Sequence, residues 1–179
     1  MGGRAGGGAG GGMGSGSRGL SRSLSVRESA IRGNDFETLY ALDANGNELF
    51  KKIGDSHGVY YGLDGYKTKD AIVTHNHPGG SSFSWQDVQG MVYYNQKEMR
   101  ATGKEFTFSI KRPEKGWGVS WKTAQGAFKR ANANARKAFQ QQKTGNAASD
   151  RKLWISLTHQ HNEKAAKRLG WDYSVKKNK

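Results

Sequence analysis

Apolar residues first gather at Phe36-Glu37-Thr38-Leu39-Tyr40-Ala41-Leu42 and again at Glu48-Leu49-Phe50. Between them lies Asp43-Ala44-Asn45-Gly46-Asn47, whose Asn-Gly pair tolerates the positive φ of a tight turn, so the pattern predicts a β-hairpin. The run Ala71-Ile72-Val73 predicts another strand over residues 70–74, leading into the polar stretch THNHPGGSSFSWQD at residues 74–87. Ser84 to about Arg100 reads as a helix that ends before Thr102-Gly103. Residues 105–111 (EFTFSIK) and 117–121 (WGVSW) predict a second strand pair across the turn Pro113-Glu114-Lys115-Gly116. Strands with an intervening helix predict an α/β, sandwich-like core.

The pattern changes towards the C-terminus. Ala124, Phe128, Ala131, Ala135 and Phe139 recur at helical spacing, as do Trp154, Leu157, His161, Ala165 and Leu169 before Gly170, a natural helix stop. Two amphipathic helices are thus expected, joined by the soft segment Thr144 to Ser149. Charge separates this region from the rest. Residues 1–25 carry three Arg and no acid, residues 26–122 carry 13 basic and 12 acidic side chains, and residues 123–179 carry 13 basic against 3 acidic. The division predicts a Gly/Ser-rich flexible tether over 1–25, a nearly neutral domain over 26–122 and a basic helical extension over 123–179. The tether is expected to join the domain to a further segment.

Composition narrows the chemistry. The 179 residues include no cysteine, so thiolate zinc sites and disulfides are excluded and a metal must be held by His, Asp or Glu. No apolar run approaches the ~20 residues a membrane-spanning helix needs, so no membrane partner is expected. Residues i and i+2 of a strand point to one side, so His75 and His77 can converge on one ion, helped by Pro78, which biases its predecessor to extended geometry. Asp87 falls in the first turn of the following helix, where the intervening loop can return it towards the imidazoles. Two His and one carboxylate leave a position open for water, the arrangement of a catalytic zinc site. Ser84 and Asp87 also fit a helix N-cap with an acid at its third position, which requires no metal; the two roles are compatible.

The order His75-Asn76-His77-Pro78, then Ser84 and Asp87, resembles the JAB/MPN (JAMM) zinc metalloprotease superfamily, in particular its RadC-type and phage- or toxin-associated branches. The likeness spans roughly Glu28 to Trp121; nine residues separate His77 from Asp87 where the family usually has ten. The resemblance implies a JAB/MPN-like mixed β-sheet core flanked by helices, with zinc on His75, His77 and Asp87. It implies that Glu37, placed in the first strand, is the general base, with Glu28 in reserve, and that Ser84 stabilises the developing oxyanion. The implied reaction is hydrolysis of an amide or isopeptide bond by zinc-activated water, on a ubiquitin-like tail or a phage or toxin polyprotein. Glu37 shares a strand face with Leu39 and Ala41, an unfavourable place for a carboxylate without a polar purpose.

Thr158-His159-Gln160-His161 repeats the Thr-His-x-His string, with Asp172 ten residues beyond His161. On a helix, however, residues i and i+2 point about 200° apart and cannot share an ion. A second class of function is a nucleic-acid-binding protein or nuclease working through residues 123–179, where Trp154, Trp171 and Tyr173 lie among the cations and could stack on bases. The expected location is the cytoplasm of a bacterial or phage-infected cell, or delivery as part of a larger protein; the oligomeric state is left open.

Overall fold

A computed structural model describes residues 15–179. Along the chain it contains α1 (Ser15–Ile31), β1 (Thr38–Leu42), β2 (Glu48–Ile53), a 3-10 helix (Gly62–Thr68), β3 (Ile72–Asn76), α2 (Trp85–Tyr93), β4 (Glu98–Thr102), β5 (Phe106–Lys111), α3 (Trp121–Gln142), α4 (Ala147–Arg168) and β6 (Asp172–Lys177). The six strands form one mixed sheet in the order β2-β1-β3-β4-β5-β6. Only β3 and β4 run parallel, as the crossover through α2 requires.

Strand alternation gives the sheet two buried faces. Leu39, Ala41, Val73, Met99, Ala101, Phe108 and Ile110 form one core with Val88 and Met91 of α2, Phe128 of α3, and Ile155 and Ala166 of α4. Leu42 and Ile72 point the other way and pack on Leu24 of α1. The result is an α/β fold with helices on both sides of the sheet.

Several expectations change. Residues 1–14 of the expected tether lie outside the described residues, but residues 15–25 are helical. The Gly/Ser composition disfavours a helix locally, yet Leu24 and Ile31 bury against the sheet and Ser23 Oγ donates to the Gly46 carbonyl at 2.6 Å. Gly46 has φ +88°, and a Cβ there would lie 2.9 Å from Leu20 Cα, so glycine serves both the hairpin turn and the approach of α1. The helix expected to reach Arg100 stops at Tyr93, because Asn95 turns to φ +52°, and Glu98 to Thr102 form β4. That strand looked polar because Glu98 and Arg100 face α1, where Arg100 Nε meets Glu28 Oε1 at 2.6 Å and Arg100 Nη1 meets Glu98 Oε1 at 2.9 Å. Residues 117–120 form no strand: Gly116 and Gly118 have φ +90° and +71°, Ser120 caps α3, and β5 pairs with β4 and β6 instead.

The largest correction concerns residues 123–179, which are not an extension to the core. β6 completes the sheet, and Phe128, Ile155 and Trp171 are buried in the main cluster. Trp171 packs on Trp117 and Phe128, and its Nε1 donates to the Trp117 carbonyl at 2.9 Å. Tyr173 is tied to Ser82. Neither ring is free to stack on a base, so of the three aromatics only Trp154 keeps that capacity. No helix among the described residues is long and apolar enough to cross a membrane.

Candidate metal centre

β3 carries His75 within the strand, and His77 follows immediately, its N–H still donating to the Thr102 carbonyl of β4 at 2.9 Å. Extended geometry therefore continues through both histidines, and their rings fall on one side of the sheet. Their Nε2 atoms lie 2.9 Å apart. β1 pairs antiparallel with β3, with Leu39 opposite His75, and continuing that register sets Glu37 opposite His77 on the same face. The donor atoms of Glu37, His75 and His77 all lie within 4.8 Å of one another, and these three buried residues can hold a metal ion.

Asp87 joins them from the next element. Ser84 caps α2 in a reciprocal box: its Oγ accepts from Asp87 N at 3.2 Å, and its own N–H donates to Asp87 Oδ2 at 2.7 Å. That cap turns the carboxylate back over the loop, so Asp87 Oδ1 lies 3.2 Å from His75 Nε2 and Oδ2 lies 3.4 Å from His77 Nε2. The nine-residue spacing is thus long enough for Asp87 to reach both rings, and cap and cluster share one side chain. A tetrahedral ion about 2.0–2.1 Å from each donor sets the donors roughly 3.3 Å apart; the imidazole nitrogens stand 2.9 Å from each other and 3.2 and 3.4 Å from the two different oxygens of Asp87.

The middle residue of the His-x-His string also acts. Asn76 Oδ1 accepts from Thr38 N at 2.7 Å and its Nδ2 donates to the Phe36 carbonyl at 2.8 Å. The amide so clamps the backbone on both sides of Glu37, whose own N–H and C=O pair with Asp55 and Gly54. Glu28 lies elsewhere: it accepts from Arg100 and from Thr74 Oγ1 on the α1 face of the sheet, opposite the histidines, so it cannot replace Glu37 as base.

Electrostatics favour a cation at this point. His77 Nδ1–H donates to the Ser81 carbonyl at 2.9 Å, which leaves the Nε2 lone pair facing the cluster in the neutral ring. Burial pulls the His77 imidazole down, but Asp87, Glu37 and the Ser81 carbonyl outweigh it and push it up to about 9. Burial alone would raise Asp87; His75 and His77 instead hold its carboxyl well below the usual carboxylate range. Glu37 is raised by burial, with His77 and His75 pulling it partly back. Two carboxylates thus face the paired imidazoles and hold a positive charge there, on His77 as a proton that a bound metal ion would displace, while His75 Nδ1 is buried without a hydrogen-bond partner among the described residues. The His75 side chain is 1% exposed and closes the cluster from below, whereas Asp87, at 17%, opens it to solvent.

The elements missed as part of the fold hold the loop. Gly80 has φ +74° and lies so near Gly103 that a Cβ on the latter would be 2.8 Å from Gly80 Cα. From α4, Arg151 Nη1 donates to the Pro78 carbonyl, Thr158 Oγ1 accepts from Ser82 N, and Asn162 Nδ2 donates to the Phe83 carbonyl at 2.7 Å. From α3, Asn132 Oδ1 accepts from Trp85 N at 2.8 Å. His159 and His161 sit on α4 itself, His159 bonding Tyr173 at 3.1 Å, and Asp172 is exposed on β6; they form no metal cluster among the described residues.

Fold and site define a mixed α/β protein with a buried histidine–carboxylate centre at the end of its central strand. In comparisons with known proteins, no family model, no curated protein and no solved structure matches the chain.

Proposed function

We propose that the protein is a zinc-dependent metallopeptidase or isopeptidase that hydrolyses an amide bond in a protein or peptide, such as a ubiquitin-like tail or a phage or toxin polyprotein. The observation that carries the reading is the meeting of His75 and His77 with the Asp87 carboxylate within 3.4 Å and a second, buried carboxylate, Glu37, beside them. The JAB/MPN resemblance of the same residues supports it. Two imidazoles and a carboxylate without thiolates are a donor set that zinc takes in hydrolytic sites, and when bound it would acidify a water and polarise a carbonyl.

The chain's own residues supply the rest. Glu37, with its proton affinity raised by burial, takes the proton of the attacking water and passes it to the leaving amine. Ser84 accepts the Asp87 N–H on its oxygen, so its own hydroxyl proton is free to donate to the carbonyl oxygen as charge develops there. Asn76 keeps Glu37 in position from behind.

Metal analysis and peptide hydrolysis test this together. Wild type is expected to purify with one zinc per chain, His77→Ala to lose it, and His161→Ala to keep it. Glu37→Gln is expected to keep zinc while cleavage of isopeptide-linked ubiquitin-like tail peptides falls by ~100-fold to ~10,000-fold. Stoichiometric iron in place of zinc, loss of metal in Glu37→Gln, or hydrolysis that survives a chelator would overturn the assignment.

A further inference from the structure

The outer face of α3 has no place in the proposed hydrolysis. The helix contains no Asp or Glu, and Lys122, Lys129 and Arg136, with Lys143 at its C-cap, recur every seven residues. Seven residues are nearly two full turns, so these four cations form one stripe with a rise of about 10 Å between successive members. Arg130 and Lys137 stand beside it, all six side chains belong to exposed residues, and none forms an ion pair among the described residues. An ordinary solvated helix face mixes both signs of charge; this one presents a single sign along its whole length.

A second feature adjoins it. Between the C-terminal part of α3 and the start of α4 lies a groove of about 590 Å³, bordered by Arg136, Phe139, Trp154, Gly79 and Arg151, with one acid, Asp150, whose carboxylate is taken up by Thr144 and the Gly145 N–H. Phe139 and Trp154 meet edge to face at 5.5 Å and are both only partly buried, so ring surface remains available. Arg136 belongs to the stripe and to the groove. Cations spaced along a track, next to an aromatic slot, match the two parts of a single-stranded nucleic acid: phosphates for the first, an unstacked base for the second. A duplex keeps its bases stacked inside and has no use for the slot, and an acidic protein or anionic membrane needs only the charge.

We infer that the α3 stripe and the Phe139–Trp154 groove form a binding surface for single-stranded nucleic acid, with phosphates along Lys122, Lys129, Arg136 and Lys143 and a base on Trp154. The inference does not rest on the chemistry proposed for the metal centre.

The test is fluorescence anisotropy of the full chain with labelled 20-nucleotide single-stranded DNA and RNA, the matching duplex, and poly-glutamate of similar charge, each over a salt series. Both single strands are expected to bind, with log K falling against log salt at a slope of about −3 to −4 for four to six neutralised phosphates. Replacing Lys122, Lys129, Arg136 and Lys143 together by Gln should flatten the slope to between about 0 and −1.4. Trp154→Leu, which keeps apolar bulk but removes the ring, should weaken single-strand binding by about 5-fold to 150-fold and leave the slope unchanged. Circular dichroism and metal content, expected to match wild type in both variants, separate lost binding from lost fold. A preference of one single strand over the other identifies the natural source without changing the surface. No binding at low salt, equal binding of poly-glutamate, or tight duplex binding that ignores Trp154 would each overturn the inference.

Discussion

His77 connects the ion-binding chemistry of the centre to its protonation. Its imidazole titrates near 6.5 in an unfolded chain and at about 9 in the fold, after Asp87 and Glu37 overcome the effect of burial. A raised pKa stabilises the fold fully below the unfolded value, and that contribution is lost as pH rises through the folded one. Asp87, held low against an ordinary 3.8, does the reverse: its contribution is present above about pH 3.8 and disappears as pH falls through its lowered value. Metal-free protein is therefore expected to show a falling melting temperature between pH 6.5 and 9, absent in His77→Ala, as read by thermal denaturation in chelator. Zinc must displace the same proton, so its affinity should rise about tenfold per pH unit over that range, with proton release measurable by calorimetry in buffers of different ionisation enthalpy. These residues were legible in the sequence as His-x-His with a downstream Ser and Asp. Asn76 was not, because nothing in the string shows that its amide reaches the backbone around Glu37.

At the scale of elements, the centre is held by the α4 contacts to the loop between β3 and α2. Asn162 is fully buried and donates to the Phe83 carbonyl at 2.7 Å while accepting from Asn132 at 3.0 Å. Asn162→Ala leaves these buried partners short of a hydrogen bond, a loss of about 1–3 kcal/mol. It is expected to lower the melting temperature and to weaken zinc binding although every ligand is intact, because Phe83 adjoins Ser84, whose cap holds Asp87 in place. Unchanged zinc affinity in a correctly folded variant would show that the loop holds its shape without α4. The hairpin of β1 and β2, strand β3 and the helices α3 and α4 were readable from periodicity and turn chemistry. α1 and β4 were not: the first is glycine- and serine-rich, and the second carries a buried Glu98 and a partly buried Arg100, tolerable because Arg100 pairs with both Glu98 and Glu28 and Ser109 donates to Glu98.

For the whole molecule, the consequence is that the basic C-terminal third cannot be removed. Truncation after Lys122 would expose the apolar surface now covered by Phe128, Ile155, Ala166 and Trp171 and would leave β5 an unpaired edge. The shortened chain is expected to lose its cooperative unfolding transition in calorimetry, where a chain with a dispensable extension would keep it. Effects of such a truncation on zinc or nucleic acid would then report unfolding, which is why point substitutions on the exposed face of α3 are the informative ones.

The amino-acid sequence by itself determined the chemistry available to this protein. It has imidazole and carboxylate donors but no thiol, a His-x-His pair on one strand face, a capped helix start that returns Asp87, and an excess of positive charge towards the C-terminus. These are local properties, set by residue type and by the two- and 3.6-residue periods of strand and helix. Tertiary structure alone decided which carboxylate stands beside the histidines, since Glu37 and Glu28 differ in the sheet face they reach, and that depends on the pairing of β1 with β3. It also decided that Trp171 is core while Trp154 remains partly open, and that the helices of the basic region brace the metal loop. The physical reason is the same in each case: burial and hydrogen-bond partners come from residues far apart in the chain, and no local pattern encodes them.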